Sequence, residues 1–185
     1  MKDIWTEKYR PKTVAEYVFT DSGQRQIVEH WIKEKSIPHL MLSGSPGTGK
    51  TTLAKMLINE LGVDEYDVLY VNGSKEGRKI EWVDKLIPFC QTMPYGNFKV
   101  VLLDEADFMS SPAQAGLRNV METYADNARF ILTCNQITKV IPALQSRCQH
   151  FHINQLDQTE FTARMAQILM SEGVDFDLDV LDTYD

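Results

Sequence analysis

Five short apolar runs recur along the chain: residues 39–43 (His39-Leu40-Met41-Leu42-Ser43), 68–71, 99–103, 129–133 and 148–153. The middle run is apolar at the successive positions Val100, Val101, Leu102 and Leu103, the pattern of a strand covered on both faces in a parallel sheet. Between the runs the period lengthens to that of a helix. Ile27, Val28, Trp31 and Ile32 form one apolar stripe, and Leu53, Met56, Leu57 and Leu61 another. Strands alternating with helices predict an α/β fold, a doubly wound sheet of five parallel strands flanked by helices.

The pattern changes near Leu156. Asp157 followed by Glu160 fits a capping box, Phe161, Met165, Ile168 and Leu169 make a helical stripe, and Gly173 fits a helix stop. A second helix-like segment runs from Phe176 to Tyr184, with no strand after it. These features predict an α/β domain over 1–155 and a partial helical domain over 156–185 that ends short. Trp31 and Phe161 are expected in the core.

Composition narrows the classes. The chain has 185 residues, 43% hydrophobic and 24% charged, with no apolar run of the length that spans a bilayer. Its first residues lack the apolar stretch of a signal peptide. Three scattered cysteines, Cys90, Cys134 and Cys148, do not make a disulfide framework or a zinc site and fit a reducing cytoplasm, the host's if the source is viral. A net charge of −7 does not advertise nucleic-acid binding, so any contact with DNA has to come from a local basic surface.

The chemistry concentrates after the apolar runs. Gly44-Ser45-Pro46-Gly47-Thr48-Gly49-Lys50-Thr51 is a full G-x-x-x-x-G-K-[ST] pattern, following a predicted strand and opening a predicted helix. Its glycines let backbone N–H groups turn inward around phosphates, and the helix N-terminus favours an anion. Gly47, Thr48, Gly49, Lys50, Thr51 and Thr52 are therefore the expected contacts to ATP, with Lys50 on the β- and γ-phosphates and the Thr51 hydroxyl on Mg²⁺. Asp104-Glu105 closes the central strand, at the edge where parallel sheets bind ligands. Asp104 suits the Mg²⁺ shell, and Glu105 can polarise a water for in-line attack. Asn135, after the next strand, points to the same edge and reads either as a γ-phosphate contact or as a strand-ending turn residue. By itself Arg147, just before the last run, is a surface arginine. His150 and His152 share one strand face but lack further metal ligands and are read as structural.

Taken in order, Trp5-Thr6-Glu7-Lys8-Tyr9-Arg10-Pro11, the phosphate loop, Asp104-Glu105-Ala106-Asp107, residues 114–122 (Gln-Ala-Gly-Leu-Arg-Asn-Val-Met-Glu), Thr133-Cys134-Asn135 and Gln145-Ser146-Arg147-Cys148 resemble the motif series of sliding-clamp loader ATPases of the AAA+ class. The chain resembles replication factor C small subunits, and most of all the large ATPase subunit of bacteriophage clamp loaders. The resemblance runs from about Trp5 to Tyr184. It implies that Thr6, Glu7, Lys8, Tyr9 and Val18 line an adenine pocket, that Asn135 senses the γ-phosphate, and that Arg147 acts in trans as an arginine finger in a neighbour's site. Lys79, with Arg78 as competitor, would lie near a DNA channel, and Lys75 and Arg118 are further candidates for DNA contact. Implied partners are a sliding clamp, primer–template DNA and the other subunits of a five-membered loader; the implied ligands are ATP and Mg²⁺. Another AAA+ DNA machine, such as a helicase loader or a Holliday-junction motor, and a nucleotide-binding interaction module with negligible turnover are the competing readings.

Overall fold

A computed structural model describes residues 5–75, 81–156 and 158–175, without the side chains of Thr6, Glu7 and Gln158. Its strands fall where the apolar runs predict: β1 (Leu40–Ser43), β2 (Val68–Asn72), β3 (Lys99–Asp104), β4 (Ala128–Cys134) and β5 (Gln149–His152). They pair in parallel in the order β2-β3-β4-β1-β5, which leaves β2 and β5 at the edges. Leu40 lies opposite Ile131 and Gln149, Asn72 opposite Asp104, and Ser43 opposite Cys134 and His152. All C-terminal strand ends therefore emerge at one edge.

The helices are α1 (Trp5–Lys8), α2 (Ser22–Glu34), α3 (Lys50–Leu61), α4 (Glu81–Gln91), α5 (Ser111–Thr123), α6 (Pro142–Gln145) and α7 (Gln158–Ser171). Local chemistry sets several of their ends. The Asp21 carboxylate accepts from the N–H groups of Gly23 and Gln24 and starts α2, and the Ser110 hydroxyl accepts from Ala113 N–H and starts α5. Left-handed residues close helices: Gly62 after α3 and Gly173 after α7, where Val174 N–H reaches back to the Leu169 carbonyl.

Both sheet faces are covered. Leu40, Leu42, Val100, Leu102 and Ile131 pack against α2 and α3 through Val28, Trp31, Leu53 and Leu57. Met41, Val101, Leu103, Phe130 and Leu132 pack on the other face against α4 and α5 through Trp82, Leu86, Leu117 and Met121. Side chains as fully buried as Phe130, Leu102 and Leu103 each contribute about 1.5–3 kcal/mol relative to exposure. This two-sided burial is why the middle strands read as unbroken apolar runs.

Phe161 departs from expectation. It is 44% exposed, whereas Thr162 and Ala166 are the buried positions on α7. The side of α7 that carries Thr162 and Ala166 turns inward, and Phe161 lies on the other side, along which Arg164, Ser171 and Glu172 reach Tyr9 farther down the helix. Asp157 of the expected capping box and the 176–184 segment lie outside the described residues.

Candidate nucleotide-binding site

The loop between β1 and α3 has the backbone its sequence requires. Gly44, Gly47 and Gly49 all have positive φ. A Cβ on Gly44 would lie 2.2 Å from the Ile153 carbonyl oxygen, so this first glycine also serves close packing against the chain after β5. Lys50 opens α3 and folds back into the loop, where its ammonium donates to the Gly44 carbonyl at 2.9 Å and the Ser45 carbonyl at 2.6 Å. It is buried, which pushes its pKa below the usual lysine value; Asp104 and Asp107 are among the neighbours that pull it back. Among the described residues the hydrogen-bond partners of this ammonium are carbonyl oxygens alone, which leaves the cation prepared for an anion.

Asp104 ends β3 beside it. Its Oδ1 accepts from the Thr51 hydroxyl at 2.8 Å and from the Thr133 hydroxyl in a short contact. Thr133 in turn accepts from Glu105 N–H at 3.0 Å. Glu105 is left-handed, with φ 59° and ψ 47°, which turns the chain sharply off the strand. The turn is packed from the side by Gly73, whose N–H donates to the Asp104 carbonyl at 2.7 Å. Asp107, buried, accepts from Gln136 N–H at 3.1 Å and so ties this turn to the loop carrying Asn135.

Pro46, Gly47, Gly49, Lys50, Thr51 and Thr52 from the loop and α3 face Asp104, Glu105, Thr133, Cys134 and Asn135 from β3 and β4 across a cavity of about 320 Å³. That size is ordinary for a small-molecule site. The Thr51 hydroxyl and Asp104 carboxylate, already in contact, are hard oxygen donors, as a magnesium ion requires. Thr48 belongs to the loop but turns its hydroxyl to the Ser45 carbonyl. Cys134 is buried, and burial pushes its thiol up to about 11, so it lines the cavity as a neutral group.

The other expected residues lie elsewhere. Lys8 and Tyr9 are held by Glu172 at 2.6 and 2.7 Å. Val18 is half-buried next to Tyr17, whose hydroxyl oxygen lies 3.4 Å from where a Cβ on Gly49 would stand. Arg147 precedes β5 at the opposite, N-terminal edge of the sheet. The four residues of β1, about 13 Å of strand, separate that edge from the phosphate loop. Its guanidinium makes a short contact to Glu122, which also accepts from Arg118 at 2.9 Å. Desolvation alone would raise the Glu122 pKa; the two arginines outweigh it and hold the carboxyl below its usual range. Lys75 is exposed after β2, where its N–H bonds the Asn72 side chain; Arg78 and Lys79 lie outside the described residues. His150 and His152 both hydrogen-bond the buried Ser43 hydroxyl, at 2.6 and 3.1 Å, in keeping with a structural role.

Three participants were not anticipated. Thr133 had a signal, a polar residue at the buried end of an apolar strand. Tyr17 and Glu122 had none, because their contacts depend on how distant segments pack.

The family model for the ATPase family associated with various cellular activities (AAA) matches residues 40–156, which hold this entire cavity. The chain belongs to the AAA ATPase family. This AAA chain is 44% identical over 188 residues to the replication factor C small subunit of Sulfurisphaera tokodaii, covering 97% of the chain and 56% of that relative. It is 40% identical to the replication factor C small subunit of Methanococcus maripaludis, covering 96% and 57%. The chain thus spans little more than half the length of the relatives it matches. Among solved structures it superposes on the RuvB Holliday junction branch migration motor of Thermotoga maritima with a TM-score of 0.76 at 16% identity, covering 94% of this chain and 58% of that one. A DNA polymerase III gamma subunit-related protein of the same organism gives 0.63 at 14% identity, covering 78% and 53%. At such identities these two likenesses concern the AAA fold alone.

Proposed function

We propose that this chain is the ATP-hydrolysing part of a sliding-clamp loader, which uses ATP to open a clamp and place it on primer–template DNA during replication. The observation that carries the proposal is the convergence of Lys50, Thr51, Asp104, Glu105 and Asn135 on one cavity, in a chain 44% identical to a replication factor C small subunit. The RuvB likeness, at 16% identity, gives the Holliday-junction reading no comparable support.

In this reading residues 1–155 form the nucleotide-binding domain and 156–185 the start of a helical lid. Lys50 releases the Gly44 and Ser45 carbonyls and takes the β- and γ-phosphates. Thr51 and Asp104 would hold Mg²⁺, which when bound neutralises phosphate charge. Glu105 orients and polarises the attacking water, and Asn135 contacts the γ-phosphate. Thr6, Glu7, Lys8, Tyr9 and Val18 receive the adenine.

Arg147 is too far along the sheet to serve its own site and acts on a neighbour's. It stabilises γ-phosphoryl charge only when subunits pack side by side. The pentameric assembly, the clamp and the DNA contacts of Lys75, Arg78, Lys79 and Arg118 belong to the same proposal, since they concern the whole loader. The experiment is ATP hydrolysis in a reconstituted loader, with and without clamp and primer–template DNA. Stimulation by both supports the reading. Turnover that ignores clamp and responds to Holliday junctions favours the other machine, and ATP binding without turnover favours the interaction module.

A further inference from the structure

The last turn of α7 is tied to a segment more than 160 residues away. Glu172 Oε1 accepts from the Lys8 ammonium at 2.6 Å and from the Tyr9 hydroxyl at 2.7 Å. The Ser171 hydroxyl, which donates to the Ile168 carbonyl at 2.7 Å, stands 3.0 Å from the same Tyr9 oxygen, and Arg164 donates to the Tyr9 carbonyl at 3.4 Å. Residues 164, 171 and 172 share one helix face, so the contact is a continuous seam. Gly173 stops the helix immediately afterwards and fixes where Glu172 stands.

A carboxylate is poorly placed at a helix C-terminus, where the backbone dipole is negative. Glu172 is nonetheless held below its usual pKa, first by the hydrogen bond from Lys8 and then by that from Tyr9. The acid is there for the N-terminal segment and not for its own helix.

That segment leads on to the phosphate site. The Lys12 carbonyl accepts from the Asn59 side chain on α3, and Tyr17 packs over Gly49. Residues 8–17 therefore form a strap, fastened at one end to the lid helix and at the other to the loop that holds the phosphates.

We propose that Glu172 is a positioning residue for the nucleotide's base, holding Lys8 and Tyr9 against the lid helix so that base binding and lid position become one coupled equilibrium. The inference rests on the reading that the segment from Thr6 to Tyr9 receives the adenine. By linkage, whatever fastens the strap strengthens base binding, and a bound base fastens the strap. Phosphate binding rests on Lys50 and the loop, which the strap touches by packing at Gly49 alone, and is not held by the Glu172 contacts.

The test titrates the full chain, and its Glu172→Ala and Glu172→Gln variants, with Mg-ATP and with Mg-tripolyphosphate, which offers phosphates and no base. Glu172→Ala should weaken ATP by about tenfold and leave tripolyphosphate unchanged. Glu172→Gln, whose amide oxygen still accepts from Tyr9, should recover part of the loss. A Tyr9→Phe, Glu172→Ala cycle read by thermal unfolding should be non-additive if the two groups are joined in solution. Equal loss for both ligands would make Glu172 a general stabilising residue and overturn the proposal, as would no loss for either. A parent chain that binds tripolyphosphate as tightly as ATP would instead remove the adenine reading, and the proposal with it.

Discussion

The two edges of the sheet are built on opposite principles. At the C-terminal edge, Lys50, Asp104 and Thr133 are buried or half-buried and line one cavity, with Thr51 and Thr133 bonded to Asp104 and Lys50 held by loop carbonyls. At the N-terminal edge, Arg147 and Arg118 stand 38% exposed and share the single carboxylate of Glu122. A buried constellation is organised before its ligand arrives and costs little to align. An exposed arginine on one acidic partner is held loosely, since surface ion pairs are worth about 0–1 kcal/mol, and can be given up to a stronger anion. On the proposed reading, one edge holds ATP and the other is offered to a neighbour.

The sharpest way to break this contrast is Arg147→Ala. In an assembled loader it should cut hydrolysis by about 10³–10⁵-fold while ATP binding stays nearly unchanged; in the isolated chain it should change little. Steady-state turnover in both contexts checks this, and a large loss in the isolated chain would mean that the edges are not independent.

Glu105→Gln probes the other edge. It should slow hydrolysis by about 10²–10⁴-fold with binding intact, because an amide is a poor base. Single-turnover kinetics against a nucleotide titration separates the two effects. Lys50→Ala removes a charge-assisted phosphate contact worth roughly 1.5–3 kcal/mol, so calorimetric titration should find ATP affinity lower by about 10–150-fold. Unchanged affinity would dissolve the site.

The smallest effect belongs to His39, between the edges' two roles. It immediately precedes β1, its Nδ1 accepts from Phe130 N–H at 3.2 Å, and burial, then the charge of Arg129, lowers its pKa from 6.5 to about 4. The unfolded chain therefore takes up the proton first. Stability should be full above pH 6.5 and fall as pH drops toward 4, by at most about 1.4 kcal/mol per pH unit. His39→Gln should flatten the melting temperature across that window. The depressed carboxyls of Glu122 and Glu172 lose their contribution only lower, as pH falls below about 4.5.

Much of the buried edge was legible because it obeys local rules. The phosphate loop, Asp104-Glu105 and Asn135 each follow an apolar run, and parallel strands deliver them to one edge whatever the strand order. The loose edge was not legible in the same way. The Arg147–Glu122 contact joins the residue before β5 to the end of α5, and the Tyr9–Glu172 seam joins the two ends of the described chain. No periodicity encodes either pairing. Phe161 misled for a related reason: its stripe is amphipathic, but the inward positions are Thr162 and Ala166 beside it, a choice made by packing that periodicity does not encode.

The division of labour between the edges is tested most directly by mixing two inactive proteins in assembled complexes. Glu105→Gln subunits keep Arg147, and Arg147→Ala subunits keep Glu105. If one site is built from two chains, some mixed interfaces pair an intact Glu105 with a neighbour's intact Arg147, and ATP hydrolysis returns with a maximum at intermediate mixing ratios. No recovery at any ratio, in complexes shown to be assembled, would contradict the account and return Arg147 to the surface.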